Sequence, residues 1–436
     1  MNILVIGNGF DLAHRLPTKY TDFLQFCKIV LAIFTDAKSM DEKTFEGKYL
    51  REWKVNKEIV KELKDIHYCI CICNNKINYL NEYPYLSELY EMIQQNIWIE
   101  YFLQCNMYQK ENWIDFEREI SEVIKSLDND MHRLSGDYSI DDDIIDLSNK
   151  FLNKMYSDYT FTVQSINSYT NGVCESITFK EIRNKLLDDL NKLIRAFEIY
   201  LTEYVEKIEI QEKSPDIDEL EVDFILSFNY THIFSELYNV SSRSKKEITD
   251  PFDYIHGEAD TNNTIESNNM VLGIDEYLSD ERKNKDIDFI AFKKYYQRIH
   301  KQTGCKYKNW VDKIRQDYLD YSQKIETAKY KELQYIPDTT QRLFNKHAMS
   351  AIKREKCQMH NLFIFGHSLD ITDKDILRDL ILNDNVYTTI FYHNKDVMGQ
   401  QIANLVKVIG QDELIRRTGG GTKTIEFKQQ QDMVNI

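Results

Sequence analysis

The chain has 436 residues, a formal net charge of −16, and 42% hydrophobic and 29% charged residues. This length allows one large or two to three ordinary domains, and the composition is that of a protein able to bury a core. The acidic balance argues against a broad groove that tracks nucleic acid phosphates, and only 14 Gly and 5 Pro argue against long low-complexity segments. No apolar run approaches the ~20 residues of a membrane span, and no signal peptide precedes the first strand, so a cytoplasmic protein is expected. Its eight cysteines are then expected as reduced thiols. In Cys69-Ile70-Cys71-Ile72-Cys73 the alternation would place three thiols on one face of a strand. No second pair at zinc-ligand spacing accompanies them, so packing is favoured over a metal site.

The chain opens on Ile3 to Ile6, an apolar run rich in branched residues that suits a strand buried on both faces. Gly7-Asn8-Gly9-Phe10-Asp11 follows at once. Two glycines after a buried strand let the backbone turn sharply and approach a ligand, and the free N–H groups of the next helix would face it. The full dinucleotide fingerprint asks for a third glycine, where this chain has Leu12. Tyr20 to Phe34 is then a helix apolar on more than one stripe. From about residue 40 to 220 apolar residues recur at helical spacing, most clearly over Tyr49 to Asp65, Leu86 to Tyr108, Asp115 to Leu127 and Thr178 to Lys207. Polar, acidic connections lie at Ser135 to Asp143 and Gln211 to Asp218.

Sheet patterning returns at Val222 to Ser227, which runs into Phe228-Asn229-Tyr230-Thr231. Asp253 to Ile255 runs into His256-Gly257, and a further strand is expected over Asn269 to Leu272, ending at Gly273. Helices are expected over Phe289 to His300 and Trp310 to Glu332. Asn361 to Phe365 is a buried strand ending in Gly366-His367-Ser368-Leu369-Asp370, with a helix from about Thr372 to Ile381. Val386 to Phe391 is a strand and Val397 to Ile409 a helix. Gly419-Gly420-Gly421 opens a polar tail in which Thr424 to Phe427 reads as a short edge strand. Four apolar strands thus each end in a glycine or polar cluster. In a parallel open sheet those ends share one edge, where ligands bind.

These clusters carry a resemblance. Gly7-Asn8-Gly9-Phe10-Asp11 through Leu16-Pro17, Phe228-Asn229-Tyr230, His256-Gly257 and Gly366-His367-Ser368-Leu369 are similar, in order, to the motifs of sirtuins. With Trp113-x-Asp115-Phe116-Glu117 they also resemble, over nearly the whole chain, the bacterial AbiH family of phage abortive-infection proteins. The resemblance implies an α/β fold, a sirtuin-like Rossmann parallel sheet with large helical insertions, and a role in anti-phage defence. Sirtuin-like defence proteins hydrolyse NAD and empty the pool of the infected cell. The two Cys-x-x-Cys pairs of the sirtuin zinc module are absent from this sequence, which argues against protein deacylation and for no metal.

The organisation expected is a discontinuous Rossmann-like core over 1–35, 221–280 and 357–412. A helical lobe over 36–220, a second helical insertion over 281–356 and a polar tail over 413–436 complete it. NAD, the expected substrate, would lie with its pyrophosphate over Gly7, Asn8, Gly9 and Phe10. Asp11, Tyr230, Gly366, His367 and Ser368 would complete its site. His256 is the candidate base, because a histidine near neutral pKa can take a proton from water or a ribose hydroxyl. Asn229 is the second catalytic candidate, a neutral amide able to hold ribose or the attacking water. Bland readings stand beside each: Asn229 as an Asx turn, Asp11 as a helix cap, Asp370 and Asp373 as the acidic start of a helix, and Asp115 and Glu117 likewise. A pocket wall is the sharper reading of Asp115 and Glu117. A Ser/His/Asp triad from Ser368, His256 and Asp11 ranks low, since no Gly-x-Ser-x-Gly elbow occurs.

An NAD hydrolase must be silent before infection, so gating by homo-oligomer assembly or a phage-derived activator is expected. The alternatives are a nucleotide sensor that binds NAD or an ADP-ribose-type signal without turnover and, ranked below it, a nucleic-acid-cleaving toxin.

Overall fold

The computed structural model describes residues 1–51, 56–72, 83–105, 114–135, 147–157, 159–162, 175–238, 251–283, 285–333 and 356–436, with residues 343, 346, 347 and 350. Cys73, Trp113, residues 106–108 at the end of one expected helix and residues 136–143 of an expected connection lie outside them.

Six strands form one sheet: β1 (Asn2–Ile6), β2 (Phe224–Ser227), β3 (Phe252–Tyr254), β4 (His360–Phe365), β5 (Val386–Tyr392) and β6 (Ile425–Gln429). Their spatial order is 3-2-1-4-5-6. Every pairing is parallel, with Leu4 opposite Ile225 on one side and Phe363 on the other. This is the doubly wound, Rossmann-like order. The chain moves outward from β1 to β3, then returns to the far side of β1 as β4. The reversal opens a crevice between the carboxyl ends of β1 and β4.

Helices α1 (Asn8–Ala13), α2 (Tyr20–Phe34), α3 (Phe116–Ser135) and α4 (Phe179–Tyr200) lie between β1 and β2. Between β3 and β4 come α5 (Lys294–Lys301) and α6 (Tyr307–Leu333), with α7 (Lys374–Ile381) and α8 (Lys395–Ile409) further on. Both faces of the sheet are covered, which is why β1 carries an unbroken apolar run. Ile3 and Val5 pack with Val311, Ile314, Leu377 and Leu405 from α6, α7 and α8. Leu4 and Ile6 belong to the other core, with Phe26 of α2, Phe197 and Tyr200 of α4 and Phe116 of α3. The helical lobe therefore shares its core with one face of the sheet.

Local signals explain most boundaries. Thr178 and Glu181 form a capping box at the start of α4. The single helix expected over Leu86 to Tyr108 is two, Leu86–Ile93 and Ile97–Gln104. Gln95 adopts φ 54 there, and the Asn96 side chain caps the second helix by accepting from the N–H groups of Trp98 and Ile99. Of the helix expected over Tyr49 to Asp65, residues 52–55 lie outside the described residues, and a regular helix, Lys57–His67, begins after an Asn56 cap. The end of the expected Thr178 to Lys207 helix is a π turn over Leu201–Val205.

Three further segments differ from expectation or refine it. Asn269 to Leu272 is not a strand; it is spent on the turn after β3, with Val271 N–H donating to the His256 carbonyl at 2.7 Å and Leu272 N–H to Gln297 Oε1 at 3.1 Å. Tyr68–Ile72 is a helical turn, so Cys69 and Cys71 do not share a strand face; both are partly buried against the core. In the C-terminal stretch, Ile425–Gln429 is the edge strand of the main sheet, and Val434–Asn435 pairs antiparallel with Glu212–Lys213. A parallel pair, Tyr159–Thr162 with Glu175–Thr178, lies within the lobe. Among the described residues no helix is long and apolar enough to cross a membrane.

Candidate functional site

The turn after β1 and the turn after β4 interlock. Gly9 N–H donates to the Gly366 carbonyl at 2.8 Å, and Gly7 N–H to the Phe365 carbonyl at 3.1 Å. A Cβ on Gly7 would stand 2.8 Å from His367 Cα, and one on Gly366, whose φ is +68°, would stand 2.2 Å from Phe10 N. The glycines thus serve backbone-on-backbone packing at the switch point. Leu369, at φ 59°, is a second left-handed residue beside it. A buried leucine in that region is held there against a cost of about 1–3 kcal/mol, of the kind found at ligand sites. Gln401 and Asn404 of α8 fix the turn by donating to the carbonyls of His367 (3.2 Å) and Ser368 (3.0 Å).

A cavity of about 490 Å³ opens over this switch point. Its walls include Gly7, Asn8, Gly9, Asp11, Asn229, Tyr230, His256, Gly366, His367 and Ser368, gathered from the ends of β1, β2, β3 and β4. Phe10 is absent from these walls. Its ring is fully buried, 4.4 Å from His14 and 6.0 Å from Tyr238, and it anchors α1 instead of covering a ligand. His14 is likewise structural: Nδ1 bonds the Phe10 carbonyl at 2.7 Å and Nε2 the Tyr238 hydroxyl at 2.9 Å. The lobe closes the cavity with Asp115, Glu117, Phe197 and Leu201, beside Tyr20 of α2.

Asp11 caps no helix, because Gly7 holds that position. It is 1% exposed and faces β2. Asn229 Nδ2 donates to its Oδ1 at 3.0 Å and Thr231 Oγ1 to its Oδ2 at 2.9 Å. Burial pushes the Asp11 carboxyl up to about 7, against these two hydrogen bonds and with a further push from Glu206. Asn229 is 4% exposed and its Oδ1 has no partner. Its backbone is set by Ser227, whose hydroxyl donates to the Asn229 carbonyl and accepts from the Asn229 N–H. Asn229 therefore makes no Asx turn: Ser227 supplies the turn bonds, and the Asn229 side chain is left to the cavity wall.

His256, 8% exposed, has a partnerless Nδ1, and its Nε2 lies 3.7 Å from Asp373 Oδ1. His367 approaches the other oxygen of the same carboxylate at 3.5 Å through Nε2. Because His367 Nδ1 accepts the Leu369 N–H at 2.9 Å, its proton sits on Nε2 and faces Asp373. One carboxylate thus stands between two imidazoles from different strands. Burial pushes His256 down to about 3, with Lys294 and Arg298 adding to the effect and Asp373 opposing it, so the ring is neutral. For Asp373 burial acts upward, but the His367 hydrogen bond and the Lys294 charge outweigh it and hold the carboxyl below its ordinary range. Lys294 reaches Glu117 Oε2 at 2.6 Å. Burial would lower its pKa; Glu117, Asp373 and Asp275 overcome this and keep it charged.

Asp370, the neighbour in sequence, does cap: its Oδ1 accepts the Thr372 N–H at 3.1 Å. The two aspartates that read together as a helix start have separate roles. Sequence reasoning does not reach Thr231, Lys294 and Asp373 as site residues. Their signal is positional only, since each adjoins a strand-end cluster or a helix start. No triad joins Ser368, His256 and Asp11, because Asp11 is committed to Asn229 and Thr231 and His256 faces Asp373. Among the described residues no group of three or more His, Cys, Asp or Glu side chains is placed to hold a metal ion.

Fold and cavity together define a doubly wound α/β protein with a polar, carboxylate-rich cleft at its topological switch point, capped by an inserted helical lobe. The chain belongs to the bacteriophage abortive infection AbiH family, whose model matches residues 3–393. That membership supports a role in phage abortive infection. The matched span takes in every cavity residue except Gln400 and Asn404. Comparison with curated proteins and with solved structures finds no match.

Proposed function

We propose that the protein acts in abortive infection by cleaving NAD at the nicotinamide–ribose bond, through a sirtuin-like use of its core. The observation that carries this reading is the lining of the switch-point cavity. Asp11, Asp115, Glu117, Asp370 and Asp373 surround the neutral His256 and the partnerless Asn229 oxygen, and Lys294 is tied to Glu117. Such a lining disfavours a polyanion in its midst but suits a pyridinium ribose. Cleavage of that bond passes through an oxocarbenium-like cation, which fixed carboxylates stabilise. The pyrophosphate would lie outward, along the glycine turn. About 490 Å³ falls within the roughly 300–1,000 Å³ usual for a small-molecule site.

In the reaction the C1′–N bond breaks and its electron pair leaves with nicotinamide, which departs neutral. Asn229 holds the ribose, and a water forms the new C1′–O bond and gives its proton to His256 Nδ1. His256 is a weak base, but a cationic centre needs little activation of its nucleophile. The lobe excludes stray water and holds the ribose in place.

Purified protein mixed with NAD should release nicotinamide and ADP-ribose on chromatography. His256→Ala and Asn229→Ala should each lower the rate by about 100-fold or more. Full cleavage by both variants would sink the assignment. The lobe's share of the cavity wall, Asp115, Glu117, Phe197 and Leu201, favours one second reading, a nucleotide sensor that signals through the lobe. Calorimetric binding of NAD without product would select it.

A further inference from the structure

We propose that Asp11 is a positioning residue: it holds the Asn229 side chain by its amide nitrogen, so that the carbonyl oxygen is the atom offered to a bound ligand. The ligand must then meet that oxygen with a donor. On the reading of the cavity as a ribose site, which this inference extends, the donor is one hydroxyl of the ribose diol.

An amide side chain can present either end, and the two differ in what they recognise. Here Asn229 Nδ2 donates to Asp11 Oδ1 at 3.0 Å, and the other Asp11 oxygen is occupied by Thr231 at 2.9 Å. With both carboxyl oxygens engaged as acceptors, Asp11 holds the amide nitrogen and leaves the amide oxygen turned away from it. The Asn229 oxygen is left buried and partnerless, in a residue that is 4% exposed and lines the cavity. A buried acceptor without a partner is destabilising, and a ligand hydroxyl would satisfy it on binding. The same spacing explains why the turn after β1 carries an aspartate at position 11: α1 points it across to the end of β2, the neighbouring strand.

The test combines a spectroscopic and a kinetic readout. In 15N-labelled protein the Asn229 side-chain NH2 resonance, assigned with Asn229→Asp, should show one proton shifted downfield and protected from exchange. Asp11→Asn should abolish that signature while thermal melting shows a folded protein. An unchanged resonance in Asp11→Asn overturns the proposal whatever the ligand is. Kinetically, wild type should lose about tenfold or more in kcat/KM on one of two NAD analogues, lacking the 2′- or the 3′-hydroxyl of the nicotinamide ribose. Asp11→Asn should lose a similar factor on NAD itself and distinguish that analogue from NAD by less than about threefold, the non-additivity expected of coupled groups. Additive losses overturn the assignment to a hydroxyl. Thr231→Val, which leaves the bond between Asn229 and Asp11 intact, should cost less than Asp11→Asn; equal losses would mean that the cluster only supports the fold, and would overturn positioning. The expected amide signature in a protein that neither binds nor cleaves NAD sinks the NAD reading and leaves the role of Asp11 standing.

Discussion

Gly9 and Gly366, 357 positions apart in the sequence, occupy each other's side-chain space: the N–H of one donates to the carbonyl of the other at 2.8 Å, and a Cβ on Gly9 would stand 2.8 Å from Gly366 Cα. This contact joins the turns after β1 and β4 and fixes the floor of the cavity. Gly366→Ala should therefore destabilise by about 2–4 kcal/mol, from the left-handed backbone and the clash with Phe10 N together. Gly399, exposed in the middle of α8 with nothing within 4 Å of where a Cβ would stand, is the control. Gly399→Ala should stabilise by about 0.5–1 kcal/mol. Urea midpoints at unchanged m-value measure both.

Asp373 couples the ends of β3 and β4 through His256 and His367, and its carboxyl is held below the ordinary 3.8. A carboxyl depressed in the folded state stabilises above its unfolded pKa, and that contribution is lost as pH falls through and below it. Asp373→Asn should cost about 1–3 kcal/mol at pH 7. The gap between wild type and variant should narrow below about pH 4. Denaturant titrations at pH 7 and pH 3 test this, and a gap that widens in acid would contradict the assignment.

His232 behaves in the opposite sense. Its ring lies between Glu206, 3.3 Å from Nδ1, and Glu258, 3.2 Å from Nε2. Hydrogen bonds to Glu206 and then Glu258 raise it, against burial, to about 10. A histidine raised in the folded state contributes fully below its unfolded value of 6.5 and loses that contribution as pH rises through about 10. His232→Gln should therefore lower the melting temperature most at pH 6 and have little effect near pH 10.5. A loss that grows with pH would show that the ring is neutral in the fold.

The sequence by itself determined the class of the fold and where its chemistry gathers. An unbroken apolar run such as Ile3 to Ile6 suits a strand covered on both faces, and strands that end in glycine or polar clusters point to one ligand edge. Capping residues such as Thr178 with Glu181 are equally local, and so equally legible. What only the tertiary structure decided is how those clusters face one another. Phe10 and Asp11 are adjacent in one short helix, yet one is sealed in the core and the other turned to Asn229. Asp370 and Asp373 look alike before a helix, yet one caps the short turn Ile371–Asp373 and the other stands between two histidines. Lys294, from an insertion between β3 and β4, is carried to Glu117 in the helical lobe. Roles of this kind depend on partners hundreds of residues away, and on the burial that shifts a carboxyl or an imidazole. Neither is written in the local periodicity of the chain.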